Sequence, residues 1–222
     1  MVIIPLIMLS KDGNYVIIKK RFNLVRFSKE KLVLEEYANL EKGILFSVLD
    51  FSVHISDKKL QWILRNFIQK GEILMVFPNI YYKVQMNKFF PERILSPDIQ
   101  LALKILSKRT GEKFQEHGGV SAHRLGLSTQ VPVIDVFYTN KNSREFHYFG
   151  HTVRLIKTRC HDVFQYPHER VGWVISALYQ CGPNAVDQQL LMKLKKELTK
   201  EEYEKLLKAK KPSWLAKLIE KL

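Results

Sequence analysis

The clearest periodicity in the chain is the apolar pattern of residues 56–70. Its members recur at i, i+3, i+4, i+7 and i+8, the spacing that places side chains on one face of an α-helix. They are Leu60, Ile63, Leu64, Phe67 and Ile68. Ser56 suits the N-cap position and Gly71 suits the position just beyond the last turn. The pattern therefore predicts an amphipathic helix with one buried face.

Shorter elements are predicted on both sides of this helix. They are a helix over 28–43, a short helix over 46–53, and a β-hairpin with strands over 72–77 and 80–84. The hairpin turn is Pro78-Asn79, in which proline suits the first central position and asparagine tolerates the left-handed backbone at the second. Helix, short helix, helix and hairpin in this order are typical of a winged helix-turn-helix, which we assign to residues 28–90.

Residues 96–222 are predicted to form a second domain of α+β class. Strands are predicted over 131–139, 145–149 and 152–157, and helices over 97–111, 167–181, 186–197, 199–210 and 213–222. Two prolines mark 85–97 as a linker. The predicted fold class is therefore α+β: an N-terminal winged helix-turn-helix, then an α+β domain with a small antiparallel sheet and C-terminal helices.

The first 27 residues leave two interpretations open. Two β-branched runs, 2–9 and 14–20, flank Asp12-Gly13, a pair that favours a hairpin turn. The same residues could equally be a poorly ordered leader. The run 2–9 lacks a basic flank and a cleavage site, and it is shorter than the ~20 apolar residues that span a bilayer. We therefore expect no signal peptide and no membrane span.

The charge balance points to a polyanionic partner. The chain has 36 Lys and Arg against 22 Asp and Glu, a formal net charge of +14 at pH 7. Such an excess favours nucleic acid, with an anionic membrane surface as the alternative. Because the excess is spread along the chain, folding must build the binding face. We expect double-stranded DNA as the partner and no membrane.

The solvent face of the 56–70 helix carries residues that read DNA. Arginine and asparagine can pair bidentately with guanine and adenine edges, and lysine binds phosphate as a point charge. The candidate DNA-binding residues are Lys58, Lys59, Gln61, Trp62, Arg65 and Asn66 on the helix, with Asn79 and Lys83 on the wing. The alternative interpretation is an ordinary solvated helix face, which has the same residue types.

Two sets of residues form recognisable motifs. In the first half of the chain they are Phe46, Asp50-Phe51, Lys70-Gly71-Glu72-Ile73 and Ile80-Tyr81-Tyr82. In the second half they are the block Leu125, Gly126, Leu127, Ser128, Thr129, Gln130, Val131 and Pro132, followed by Tyr138-Thr139, Ser143-Arg144, Pro212 and Trp214. Both sets resemble the AbiEi-like antitoxins of type IV toxin–antitoxin systems and a related group of mostly uncharacterised bacterial proteins. Read structurally, Gly126 ends a helix and Pro132 opens an edge strand.

The resemblance implies a function that composition and spacing do not. It implies a DNA-binding head that represses its own operon and a second domain that counters a toxin in abortive infection. The toxin in such systems is usually a nucleotidyltransferase-like protein that forms no stable complex with the antitoxin. Because winged-helix repressors often read inverted repeats, we also expect a homodimer.

No residue pattern predicts catalysis, a cofactor or a metal site. The histidines at 147, 151, 161 and 168 fit no zinc signature, although His147 and His151 could share one face of a hairpin. Cys160 and Cys181 are expected as reduced thiols in a cytoplasmic protein. Acid–base candidates are Glu116, Asp135 and Glu145. Two alternatives to a repressor remain: a nucleic-acid-modifying enzyme with Asp135 and Glu145 as metal carboxylates, and a protein-interaction module.

Overall fold

The computed structural model describes residues 28–219 and, before them, the backbone of strands β1 (Leu6–Leu9) and β2 (Tyr15–Ile18). These two strands pair antiparallel, with Leu6 opposite Ile18 and Leu9 opposite Tyr15. The pairing agrees with the predicted N-terminal hairpin. The rest of 1–27, including the Asp12-Gly13 turn, lies outside the described residues, as do residues 220–222.

Residues 28–83 form three helices and a three-stranded sheet. In chain order they are α1 (Lys29–Asn39), β3 (Leu45–Ser47), the 3₁₀ turn Val48–Asp50, α2 (Asp57–Ile63), α3 (Arg65–Gln69), β4 (Ile73–Phe77) and β5 (Ile80–Lys83). Strand β5 lies between β3 and β4 and is antiparallel to both. Ser28 and Ser56 cap α1 and α2 because their hydroxyls accept the backbone N–H of Lys31 and Lys59.

Two predictions in this region are corrected. The short helix expected over 46–53 is a strand followed by one 3₁₀ turn, because Leu45–Ser47 find backbone partners on β5. The Ser47 backbone N–H then donates to Asp50 Oδ2 at 2.7 Å, which closes the turn. The helix expected over 56–70 divides into α2 and α3 at Leu64, where ψ rises to 0°.

The remaining described residues are also mixed α and β. Their elements are α4 (Ile99–Thr110), β6 (Phe114–Glu116), α5 (Gly118–Arg124), β7 (Asp135–Thr139), β8 (Arg144–Tyr148), β9 (His151–Lys157), the 3₁₀ turn His161–Phe164, α6 (Arg170–Cys181), α7 (Gln188–Glu197), α8 (Lys200–Lys208) and α9 (Ser213–Ile219). The α+β class is therefore confirmed. Within the described ranges, no helix combines the length and apolarity needed to cross a membrane.

The second sheet is mixed, which corrects the predicted antiparallel sheet. Its strand order is β6-β7-β9-β8, and β9 lies parallel to β7 but antiparallel to β8. After β7 the chain forms β8 at the edge of the sheet, one position away from β7. Strand β9 then fills the position between β7 and β8. Strand β6 was not predicted because it has only three residues. Strand β7 begins at Asp135 rather than 131, because residues 131–134 have no strand partner.

The two halves of the chain share a hydrophobic core. One apolar cluster, which includes Leu60, Leu64 and Tyr81, lies inside residues 33–81. A second joins Ile80 and Tyr82 of β5 to α4 and to the second sheet. Side chains alternate between the two faces of β5, so Tyr81 points into the first cluster while Ile80 and Tyr82 point into the second. A third cluster unites α5 to α9.

Residues 85–97, which their prolines predicted to be a linker, form a structured loop. Met86 and Ile94 form a β-bridge, and the Tyr82 hydroxyl donates to the Leu95 carbonyl at 2.6 Å. The segment is a closed loop fixed to the end of β5.

Candidate nucleic-acid interface

Helices α2 and α3 expose one polar stripe along their common length. Leu60 and Leu64 on the opposite side are fully buried and fix the rotation of the helix pair. The exposed members are Lys58, Gln61, Trp62, Arg65 and Asn66. The Leu64 N–H donates to the Leu60 carbonyl at 2.9 Å and the Ile68 N–H to the Leu64 carbonyl at 3.0 Å, so the helical turn continues across Leu64. The spacing of i, i+3, i+4, i+7 and i+8 therefore places the five side chains on one face. Trp62 remains 58% exposed, so it does not pack into the core.

Lys59 has a different role from its neighbours on the stripe. Its ammonium group pairs with the Glu30 carboxylate on α1 and lies 4.1 Å from the centre of the Trp62 ring. These contacts join α1 to α2 and hold the indole in place. Between the two helices lies a depression of about 340 Å³, lined by Glu30, Leu34, Trp62, Ile63, Arg65 and Asn66.

The first turn of α2 is tied to α4 by an ion pair that the sequence did not reveal. Arg109 Nη2 donates to Asp57 Oδ2 at 2.7 Å, and only 13% of the Arg109 side chain is exposed. The Tyr81 hydroxyl is buried, with no hydrogen-bond partner among the described residues. Burial raises the pKa of Tyr81, and the Asp57 charge raises it further while Arg109 opposes both. No spacing rule connects residues 57 and 109, which explains why sequence reasoning missed this contact.

The tip of the β4–β5 hairpin is docked on the second sheet. Asn79 takes the predicted left-handed backbone, with φ of 62°. The register shifts between Met75 and Phe77, and this bulge turns the Phe77 ring toward β8. The ring centre lies 5.3 Å from that of Phe146. The hairpin is therefore held to the body of the protein, with half-buried Asn79 at its turn.

Lys83 caps a helix rather than lining the polar stripe. Its Nζ donates to the backbone carbonyls of Tyr37 at 3.0 Å and Leu40 at 2.6 Å, at the end of α1. Burial lowers the pKa of Lys83, and the nearby Lys42 charge lowers it further, against the opposing effect of Glu72. Because its donors are used inside the protein, we leave Lys83 out of the candidate interface.

The 125–132 block has one part of the structural role that its residues suggested, the helix end at Gly126, and lacks the other, the strand start at Pro132. Gly126, with φ of 65°, ends α5, and the Leu127 N–H donates back to the Ala122 carbonyl at 2.8 Å. The Ser128 hydroxyl accepts the Gln130 N–H at 3.1 Å. Thr129 and Gln130 are exposed, while Leu125 is buried. Pro132 does not open a strand, because β7 begins three residues later. The block borders a cavity of about 600 Å³.

The carboxylates of the enzyme alternative do not meet. The register places Asp135 beside Val153, whereas Glu145 lies beside Arg154, so the two side chains occupy opposite faces of the sheet. Glu145 forms an ion pair with Arg154 at 2.8 Å. His147 and His151 likewise lie on opposite faces, which corrects the expectation that they could share one. No group of three or more metal-ligating side chains occurs within the described residues.

Glu116, on β6, is the carboxyl group of the described residues whose pKa is raised most. It does not belong to the polar stripe. It is 4% exposed, and its Oε1 accepts from Arg124 Nη2 at 2.9 Å and from the Gln100 amide. Its Oε2 is buried without a hydrogen-bond partner among the described residues. Burial raises the pKa of Glu116 to about 7, with Arg124 lowering it and Asp135 and Asp98 raising it. A carboxyl group held this way is protonated over much of the mildly acidic range.

Comparison with known proteins gives one match. The model of a family described as "Family of unknown function (DUF6088)" matches residues 32–206. That range includes the polar stripe, the docked hairpin and the 125–132 block. No curated protein and no solved structure matches the chain.

Proposed function

The chain belongs to the DUF6088 family, and we propose that it is a transcriptional repressor that binds double-stranded DNA through a winged helix-turn-helix formed by residues 28–83. The order of elements supports this assignment. A helix, a strand, a single 3₁₀ turn, the α2–α3 helix and a β-hairpin follow one another, and the first strand joins the hairpin in one sheet. In such a module the helix before the hairpin enters the major groove.

The polar stripe is the observation that carries the proposal. Four residues with base-reading or phosphate-binding groups share one exposed face of α2–α3 with Trp62, in a chain of net charge +14. Arg65 and Asn66 present the bidentate groups that match guanine and adenine edges. Lys58 lies near the start of the helix, where a phosphate would meet it. The Trp62 ring offers a flat apolar surface held by Lys59.

The docked hairpin holds the wing in a fixed position on the protein. Phe77 fixes the hairpin to β8. Asn79, half-buried at the turn, is the wing residue that we place beside the flanking backbone of DNA. A wing held this way is pre-organised, so binding loses less conformational freedom there.

The biological role we propose rests on the resemblance to AbiEi-like antitoxins. The protein would bind its own operator, repress its operon and, through residues 96–222, counter a nucleotidyltransferase-like toxin without a stable complex. It would act in the cytoplasm, as part of an abortive-infection system. Binding to DNA is the part of this proposal that the geometry supports directly.

The decisive experiment is a gel-shift titration with the DNA upstream of the gene and with scrambled DNA, each at two salt concentrations. The wild type is expected to prefer upstream DNA at both, although affinity falls with salt. Arg65→Ala should weaken upstream binding by about 1–3 kcal/mol and reduce the preference. Arg159→Ala, which removes an exposed arginine outside residues 28–83, is the matched control. Equal binding of wild type to both DNAs, or no effect of Arg65→Ala, would reject the assignment.

A further inference from the structure

The loop after β5, residues 86–95, is a rigid structure that displays aromatic side chains. Its ends are joined by the Met86–Ile94 bridge, and the Asn87 N–H donates to the Arg93 carbonyl at 2.8 Å. Asn87 Oδ1 also accepts the backbone N–H groups of Phe89 at 2.8 Å and Phe90 at 3.2 Å. These bonds fix the backbone that carries the two rings. We refer to residues 86–95 as the aromatic loop.

Apolar side chains dominate the outer surface of the aromatic loop. The exposed members are Met86, Phe89, Phe90, Ile94 and Leu95, and Phe89 is 88% exposed. The largest apolar patch on a typical monomer measures roughly 300–600 Å² and often marks an interaction site. Here two phenylalanine rings and three further apolar side chains are exposed on one loop of ten residues. A stable interface needs about 800 Å² per partner, rim included, so polar residues around the loop would also contribute.

The rim of the aromatic loop carries both signs of charge. Lys88 and Arg93 are basic and Glu92 is acidic, and Arg93 Nε lies 3.8 Å from Glu92 Oε1 in the same loop, with both side chains about 70% exposed. Because Glu92 offsets Arg93, the rim carries little net charge, and an ion pair this exposed can exchange partners with its own copy across a twofold axis. DNA would be matched better by a strongly basic rim. The charge pattern therefore favours a second copy of this chain over DNA.

The position of the aromatic loop agrees with a partner other than DNA. The Val84 N–H donates to the Glu72 carbonyl at 2.9 Å, so the loop begins beside the end of α3. The Pro78-Asn79 turn lies at the opposite end of the hairpin. The stripe residues that we place against DNA, Lys58 on α2 and Arg65 and Asn66 in the first turn of α3, come before that end of the helix. We therefore place the dimer contact on the loop and the DNA contact on the stripe.

We propose that the aromatic loop is the interface of a homodimer, in which two copies pack their Phe89 and Phe90 rings around a twofold axis. Dimerisation itself is independent of the proposed DNA-binding function, whereas its consequence, reading of an inverted repeat, rests on that function. A twofold dimer presents two α2–α3 stripes, one for each half-site of an inverted repeat.

The test is sedimentation velocity of the full chain over a wide concentration range, with Phe89→Asp and Val133→Asp variants. Wild type is expected to sediment at twice the 26.1 kDa chain mass, and the dimer should persist in about 1 M salt because apolar contacts carry it. Phe89→Asp should weaken dimerisation by about 100-fold or more. Because Phe89 is so exposed, the circular dichroism and thermal midpoint of this variant should match wild type. Val133, 97% exposed elsewhere, is the control and should leave the dimer intact.

DNA binding separates this inference from the proposed function. Phe89→Asp should bind a single half-site as wild type does and lose affinity only for the full inverted repeat. Arg65→Ala should remain dimeric and lose affinity for both. The proposal is overturned by a wild type that stays monomeric, by a dimeric Phe89→Asp, or by equal dissociation of the Val133→Asp control. Loss of half-site binding in Phe89→Asp would also overturn it, since the loop would then contact DNA.

Discussion

Arg109 and Asp57 are joined by a 2.7 Å ion pair that connects α4 to the first turn of α2. The two residues are far apart in sequence, since Asp57 belongs to the 28–83 region and Arg109 to the region that follows it. The pair therefore fixes the helix of the polar stripe to the body of the protein. Any movement of α4 would be transmitted to the residues that we place against DNA.

Loss of this ion pair should reduce both stability and DNA affinity. In Arg109→Ala the Asp57 carboxylate loses its partner in a partly buried site, and we expect a loss of about 1–3 kcal/mol in the free energy of unfolding. Urea denaturation measures this loss, and a gel shift should show weaker operator binding although Arg109 is not on the stripe. Arg154→Ala breaks an ion pair whose side chains are about half exposed, and it should cost at most about 1 kcal/mol. Equal losses in both variants would show that the Arg109 pair has no special role.

Trp62 should report DNA binding by its fluorescence. Its indole is exposed on the polar stripe, so a bound duplex would change its environment, whereas the other two tryptophans, Trp173 and Trp214, lie against the C-terminal core. Addition of operator DNA is expected to change the emission of the wild type and to leave that of Trp62→Phe almost unchanged. An undiminished change in Trp62→Phe would mean that DNA binds elsewhere.

Phe77 should be the side chain that holds the hairpin to the second sheet. Phe77→Ala removes the ring that contacts Phe146 and Tyr148, and we expect a loss of roughly 2–4 kcal/mol in the free energy of unfolding. Met75→Ala, on the same strand but with a 55% exposed side chain, should cost less than about 0.5 kcal/mol. Thermal or urea unfolding measures both variants. Similar small losses would indicate that the hairpin is not held by this contact.

Glu116 should make stability fall as the pH rises toward neutrality. Its pKa is raised from 4.5 to about 7 in the folded protein, so between these values the folded state binds more protons than the unfolded state. The contribution of Glu116 to the free energy of unfolding is therefore complete below pH 4.5. It is lost as the pH rises through about 7, a change on the order of 3 kcal/mol.

The test of the Glu116 prediction is urea denaturation from pH 4.5 to 8. Glu116→Gln mimics the protonated carboxyl group and should flatten this part of the profile, leaving the variant more stable than wild type at pH 8. Glu145→Gln, an exposed carboxylate on the second sheet, is the control and should keep the wild-type slope. If Glu116→Gln also keeps that slope, burial does not raise the pKa of Glu116 as described.

Local patterns were sufficient for most helices and for the hairpin. The apolar spacing of 56–70 placed the buried face of α2–α3 correctly, because the helical period depends only on neighbouring residues. Pro78-Asn79 likewise determined the turn, since its backbone requirements are local. Strand β6 and the strand at Leu45–Ser47 escaped prediction, because three residues carry little periodicity and strand pairing is a property of the partner.

What the sequence by itself determined is the α+β class, the net charge of +14 and the side chains of the polar stripe apart from Lys59, which the structure pairs with Glu30. Only the tertiary structure decided that Lys83 caps α1, that Phe77 docks on β8, that Asp135 and Glu145 lie on opposite faces, and that Arg109 holds Asp57. The physical reason is the range of the interactions. Helix periodicity and turn geometry act over a few residues, whereas strand order and ion pairing depend on groups brought together from distant parts of the chain.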